Sequence, residues 1–442
     1  MEAEKREIRE APKGPGGLLR NIGPGVIVSG SVVGSGELLV TTRMGAEVGF
    51  VFLWGVILAC LVKYAIQLEL GRQCILRGNT TIEILDRVPG QRFKGVSWIA
   101  WLCVAGYFSV TVAVIGILGS VAGLMMTIFP VVPEGLWAVV IYLAMSILLW
   151  RGLYNDLETM VSILVATFSL VVIGSVLALQ GTGYAINGEQ IASGFRFELP
   201  AEGAFVALAV MGSVGATAVE LFMYPYWIVE KGYPDFVGPQ EDSDEWRARY
   251  RGWMRVMMTD AGVCTGIALA ITCAYYLLGA SVLNQLQVMP DGMKVVEQVS
   301  LIFTETMGGW AYYLFMVGGF CTLFSTLLVF AASSGRIGAD FLRQIGVRAL
   351  SADEGYRRWG RILQIGFPFL WLVFILLDPQ TLDFVLKGAN ANNLLLIPMA
   401  YAVLHLAMRT AKGERMSLWT EVVLLLTIWA IVNFTVINIF HL

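Results

Sequence analysis

The chain of 442 residues is built from long apolar runs. Eleven can be marked, at 23–47, 50–76, 97–127, 134–151, 157–180, 204–229, 254–280, 309–334, 359–378, 382–408 and 416–440. Each is close to, or longer than, the roughly 20 residues needed to cross a bilayer. Lipid offers the backbone no hydrogen bonds, so such runs must be helices or a closed barrel. They are continuous and not alternating, which selects helices. Only 14% of residues are charged and 57% are hydrophobic, where a soluble domain carries about a quarter charged residues. The expectation is an all-α integral membrane protein forming one transmembrane domain over 1–442.

The basic residues test the count. Lys5, Arg6, Arg9, Lys13 and Arg20 precede span 1, and Arg77, Arg87, Arg92 and Lys94 follow span 2. Arg247, Arg249, Arg251 and Arg255 follow span 6, and Arg343, Arg348, Arg357 and Arg358 follow span 8. The loops between are nearly bare, with Arg43, Arg196 and Lys294. The positive-inside rule then puts the N-terminus, 1–21, in the cytoplasm and the C-terminus outside, across a cell (inner) membrane. The charged start predicts no cleavable signal peptide. The six cysteines show no CxxC spacing and read as buried apolar residues. With no basic block, nucleic acid is not an expected partner. The bilayer and a small ion or solute are; no resident cofactor and no obligatory protein partner are indicated. Segment 80–90 is expected as a short interfacial helix and 281–308 as a loop with a helical turn or two.

Two stretches echo each other. "GSVVGSGEL" at 30–38 and "GSVGATAVEL" at 212–221 both run from Gly-Ser-Val through small residues to Glu-Leu. They stand at corresponding places in two five-span halves, 22–180 and 201–408, with 416–440 left as an eleventh helix. An offset of five spans inverts one half against the other, the plan of many secondary transporters, in which interrupted helices frame a midplane site. Gly34, Ser35 and Gly36 are expected to unwind span 1, and the matching small residues span 6. Glu37 and Glu220 are carboxylates at depth, costly there and therefore candidates for function. Each could instead compensate the dipole of a half-helix first turn.

These residues resemble a known family. Residues 21–54, "NIGPGVIVSGSVVGSGELLVTTRMGAEVGFVFLW", are similar to the first span of the Nramp divalent-metal transporters, and 210–226, "VMGSVGATAVELFMYPY", to their sixth. The resemblance implies the LeuT-type fold, spans 1–5 and 6–10 as inverted repeats plus helix 11, with helices 1 and 6 discontinuous. The family's Asp-Pro-Gly-Asn stands here as Gly34-Ser35-Gly36-Glu37, and its Met-Pro-His as Val219-Glu220-Leu221. Residues 99–127 hold none of the acids of the family's third span. The chain thus resembles a divergent member, near the magnesium-type branch.

The candidate substrate site is Gly34, Ser35, Gly36, Glu37, Thr217, Val219 and Glu220, joined by Asn390, Asn392 and Asn393 of the polar stretch "LKGANANNLLLIP" at 386–398. Glu37 and Glu220 are the candidate metal ligands, with carbonyls around Val33, Gly34, Ala216 and Thr217 as helpers. Oxygen donors favour hard ions such as magnesium or manganese. Lys387 is either counter-ion to one carboxylate or a snorkelling surface lysine. Thr322, Ser325 and Thr326 either line a cation site or bond back to their own helix. Lys63 and Glu69 in span 2 need partners or the interface. The expected function is secondary transport by alternating access, of a divalent metal cation. The alternative is a proton- or sodium-coupled carrier of a small organic or anionic solute. No enzymatic activity is expected.

Overall fold

The computed structural model describes residues 8–21, 34–151, 154–199, 203–290, 295–410, 414–415 and 418–441. Among them, eight helices are long and apolar enough to cross a membrane, and two shorter apolar helices, Val165–Leu179 and Glu421–Val432, add to these. Each expected span from 2 to 11 carries a helix. Span 2 is Leu53–Arg77, span 3 Trp98–Ile128, span 4 Glu134–Arg151, span 5 Tyr154–Leu179 and span 7 Asp244–Leu278. Span 8 is Ala311–Gln344, span 9 Asp353–Leu377, span 10 Thr381–Arg409 and span 11 Leu418–His441. Residues 22–33, the first half of span 1, lie outside the described residues.

Span 6 is not one helix. Ala204–Ser213 and Ala218–Lys231 are separated by an unwound stretch. Val214 is extended (φ −96°, ψ 154°) and Gly215 takes φ +64°. That left-handed conformation suits glycine, which lacks the Cβ that would clash. The described part of span 1 begins at Gly34 and continues as a π-helix, Gly36–Thr41, before the α-helix Thr42–Val48. The Thr41 hydroxyl donates to Gly36 O at 3.0 Å, five residues back, within the widened turn. Single π turns inside helices are frequent at functional sites.

Spans 2, 3, 6, 7, 8 and 10 form the core, with span 10 along span 3 and span 2 between spans 6 and 7. Spans 4 and 9 are peripheral. Leu143, Ile147, Trp150, Phe369, Phe374 and Leu377 stand exposed there. An apolar belt of that size marks a lipid-facing surface.

Three local features differ from expectation. The helix within 80–90 is Thr81–Leu85, and it is packed inside, with Thr81, Ile82, Ile84 and Leu85 buried. A capping box from Thr80 and Glu83 starts it, and the Thr80 hydroxyl donates to Asp340 of span 8 at 3.0 Å. Anchored at both ends, it is a buried brace and not an interfacial float. Within 281–308 the helix Val295–Met307 is longer than a turn or two. Arg92–Phe93 and Val96–Ser97 pair as a small antiparallel hairpin. Lys94 and Gly95 at its turn both have positive φ, the twist-matched geometry of two-residue hairpins.

Candidate functional site

The start of the described part of span 1 meets the break in span 6. A Cβ on Gly36 would lie 2.2 Å from Ser213 O, the last residue of the first half of span 6. Only a glycine lets span 1 approach that carbonyl. Gly36→Ala is therefore expected to force the two segments apart, with a loss of about 1–3 kcal/mol, the usual cost of overpacking. Its chemical denaturation midpoint in detergent measures this, and an unchanged midpoint would contradict the close approach.

A break leaves carbonyls unpaired at the end of one half-helix and N–H groups at the start of the next. Here side chains take both. Thr217 caps the second half, and its N–H donates to Glu220 Oε2 at 2.7 Å, as does its hydroxyl. Glu220 thus closes a capping box, the dipole-compensating role the sequence allowed. Glu220 also lines a cavity.

That cavity lies between spans 1, 3, 6, 8 and 10. Gly34, Ser35, Gly36, Ser213, Thr217, Glu220, Thr326 and Asn392 form its polar side, and Val110, Ile117, Phe330 and Val385 its apolar side. About 30 Å³ is open to the centre of a water-sized sphere, room for about two waters or one small ion. Ser213 Oγ and Asn392 Oδ1 are buried there without a partner among the described residues. Unmet buried oxygens in a polar cavity call for water or a cation.

Glu37 plays a different part. It is fully buried and is not among the residues lining the cavity. Oε2 accepts from Gly34 N at 3.1 Å; Oε1 accepts from Gly215 N and from the Thr272 hydroxyl of span 7, both at 3.3 Å. One carboxylate therefore ties the start of the described part of span 1 to the break of span 6. On the opposite side, Lys63 of span 2 donates to Val214 O at 2.5 Å and Gly212 O at 3.4 Å, and it too is fully buried.

The remaining sequence candidates sort as follows. Gly34, Ser35, Gly36, Thr217, Glu220 and Asn392 come together at the cavity. Asn393 and Asn390 instead donate to Leu208 O (2.8 Å) and Phe205 O (3.5 Å), tying span 10 to the first half of span 6. Val219 is packed in the apolar core. Val33 lies outside the described residues. Lys387 pairs with Asp383 at 2.5 Å on an exposed face, so neither Glu37 nor Glu220 has it as counter-ion. In span 8, Ser325 and Thr326 bond back to Thr322 O, both at 2.9 Å. Sequence reasoning gave Thr272 no role, took Ser213 and Gly215 only as small residues that unwind span 6, and left Lys63 without a place. An ammonium midway along an apolar 25-residue helix was the available signal; the hydroxyls carried none.

Comparison with known proteins bears on the family and the fold. The family model described as natural resistance-associated macrophage protein-like (Nramp) matches residues 25–441. The uncharacterized protein PM0681 of Pasteurella multocida (strain Pm70) is 26% identical over 336 residues, 73% of this chain and 71% of that protein. A variant of the manganese transporter of Eremococcus coleocola superposes with a TM-score of 0.64 at 14% identity, over 99% of this chain and 89% of its own. MhsT in complex with L-phenylalanine gives 0.58 at 15% identity, over 98% and 99%. These neighbours share the LeuT-type architecture, and the break in span 6 is the interruption expected in its second half. A match over nearly the whole chain, together with this fold, shows that the protein belongs to the Nramp family, as a divergent multi-pass membrane transporter.

Proposed function

We propose that the protein is a secondary transporter of a hard divalent cation, magnesium or manganese, working by alternating access between the two halves. One observation carries this. The cavity at the crossing of spans 1 and 6 is ion-sized, and every polar side chain of its described lining offers an oxygen ligand: Glu220, Ser35, Ser213, Thr217, Thr326 and Asn392, with no methionine, cysteine or histidine. Oxygen ligands suit hard cations, and soft metals need sulfur or imidazole. A single carboxylate with hydroxyls and an amide suits an ion that keeps part of its water shell, as magnesium does. The basic loops place the N-terminus on the cytoplasmic side of a cell membrane in this reading.

A second reading has its own observation. The buried Lys63 ammonium engages the Gly212 and Val214 carbonyls of span 6, a positive charge at the break that favours a small organic or anionic solute. Uptake into proteoliposomes separates the two. Magnesium or manganese is expected to accumulate, and cadmium is expected neither to accumulate nor to compete. Absence of magnesium, manganese and calcium flux would reject the metal reading, and cadmium inhibition at equal concentration would reject the hard-ion site.

A further inference from the structure

Val214 and Gly215 share one peptide group at the centre of the span 6 break. Its carbonyl accepts from the Lys63 ammonium at 2.5 Å, and its N–H donates to Glu37 Oε1 at 3.3 Å. In a trans peptide these two groups point in opposite directions. The peptide dipole therefore lies between a cation on its negative end and an anion on its positive end. Both side chains are fully buried. Lys63 makes no ion pair within 4 Å among the described residues; the carboxylates whose field reaches it are Glu220 and Glu37, the latter held on the far side of this peptide. A buried ammonium without a nearby anion is costly, and the carbonyls of Gly212 and Val214 would be costly to leave unpaired. Each need meets the other.

We propose that the Lys63 ammonium is a resident cation, filling a monovalent-cation site in the span 6 break whose ligands are the Gly212 and Val214 carbonyls and whose counter-charge is Glu37. The site needs no ion from solution because a side chain supplies one. Removing that charge vacates two carbonyls in the negative field of Glu37 and opens them to sodium or potassium. The inference concerns the break itself and stands whichever solute the cavity carries.

The test is thermal unfolding of purified protein in detergent, in sodium, potassium or choline chloride at equal ionic strength. The wild type is expected to melt at one temperature in all three. Lys63→Met, of similar length and uncharged, is expected to melt several degrees lower in choline, because it leaves a buried anion uncompensated, and to recover part of the loss in sodium or potassium. Lys63→Met/Glu37→Gln is expected to lose less than the sum of the single changes, as groups acting as a pair do, and to be indifferent to the cation. A wild type stabilised by sodium over choline would overturn the proposal. So would a Lys63→Met protein insensitive to both alkali cations, or additive losses in the double variant. Should Lys63→Met not be recovered, Lys63→Gln takes its place in the same comparison: a double loss with Glu37→Gln smaller than the sum supports the pair, and an additive loss rejects it.

Discussion

Glu220→Gln is expected to abolish the proposed divalent-cation uptake in reconstituted vesicles while the purified protein keeps its fold. The two halves of this expectation have separate causes. Glu220 occupies the third position of the helix Ala218–Lys231 and accepts from Thr217 N. Glutamine serves equally well at that place of a capping box, so the melting temperature should move little. What is lost is the one carboxylate among the described residues of the cavity lining. Two unit charges 4 Å apart attract by about 4 kcal/mol at an effective dielectric of ~20. Losing even ~2.7 kcal/mol lowers affinity about 100-fold. Initial uptake rates of magnesium and manganese below saturation should fall by at least that factor. Retained uptake would remove Glu220 from the site. Glu37→Gln should differ in kind. Its two oxygens accept from three donors, and an amide would turn its own N–H groups toward one or more of them. It should lower stability first, with transport falling as a consequence. The two carboxylates that the repeat pairs in sequence are thus expected to separate by experiment into ligand and clamp.

The largest stability loss is expected at Arg72→Gln. Arg72 and Glu69 lie in span 2 with side chains 1% and 3% exposed. The guanidinium donates from Nε to Glu69 Oε2 at 2.7 Å and from Nη2 to Oε1, so the pair is bidentate. It also donates to the Thr410 hydroxyl at 3.0 Å and to Glu414 O at 3.1 Å, reaching the link between spans 10 and 11. Tyr250 of span 7 donates to the same Glu414 carbonyl at 3.1 Å. Removing one partner of a buried pair leaves the other uncompensated, at a cost of about 3–5 kcal/mol. The denaturation midpoint in detergent reads this directly. Arg72→Met combined with Glu69→Met should lie much closer to wild type, because an apolar pair of similar volume leaves no buried charge behind. A single substitution as mild as the double one would show that the network is solvated.

The sequence was most informative where a property belongs to one segment. Span length, apolar continuity and the Gly-Ser-Val repeat each follow from local composition, and the helices within spans 2–11 and the interruption at 214–217 match them. The capping role of Glu220 was also legible, since a Thr-x-x-Glu spacing caps its own helix. The brace Thr81–Leu85 was misjudged as interfacial because its amphipathic pattern says that one face is buried without saying against what.

What the sequence determined by itself is the class: a helical membrane protein in two echoing halves, with small residues and an acid at matching places. The solvent sets this, because lipid forces each long apolar run to satisfy its own backbone. Only the tertiary structure decided which polar groups share a cavity and which hold the frame. Glu37 meets Gly215 across 178 residues, and Lys63 meets Val214 across 151. Such pairings depend on how the helices cross, and that crossing follows from close backbone approaches such as Gly36 against Ser213. Nothing in the local pattern around Lys63 carries that information.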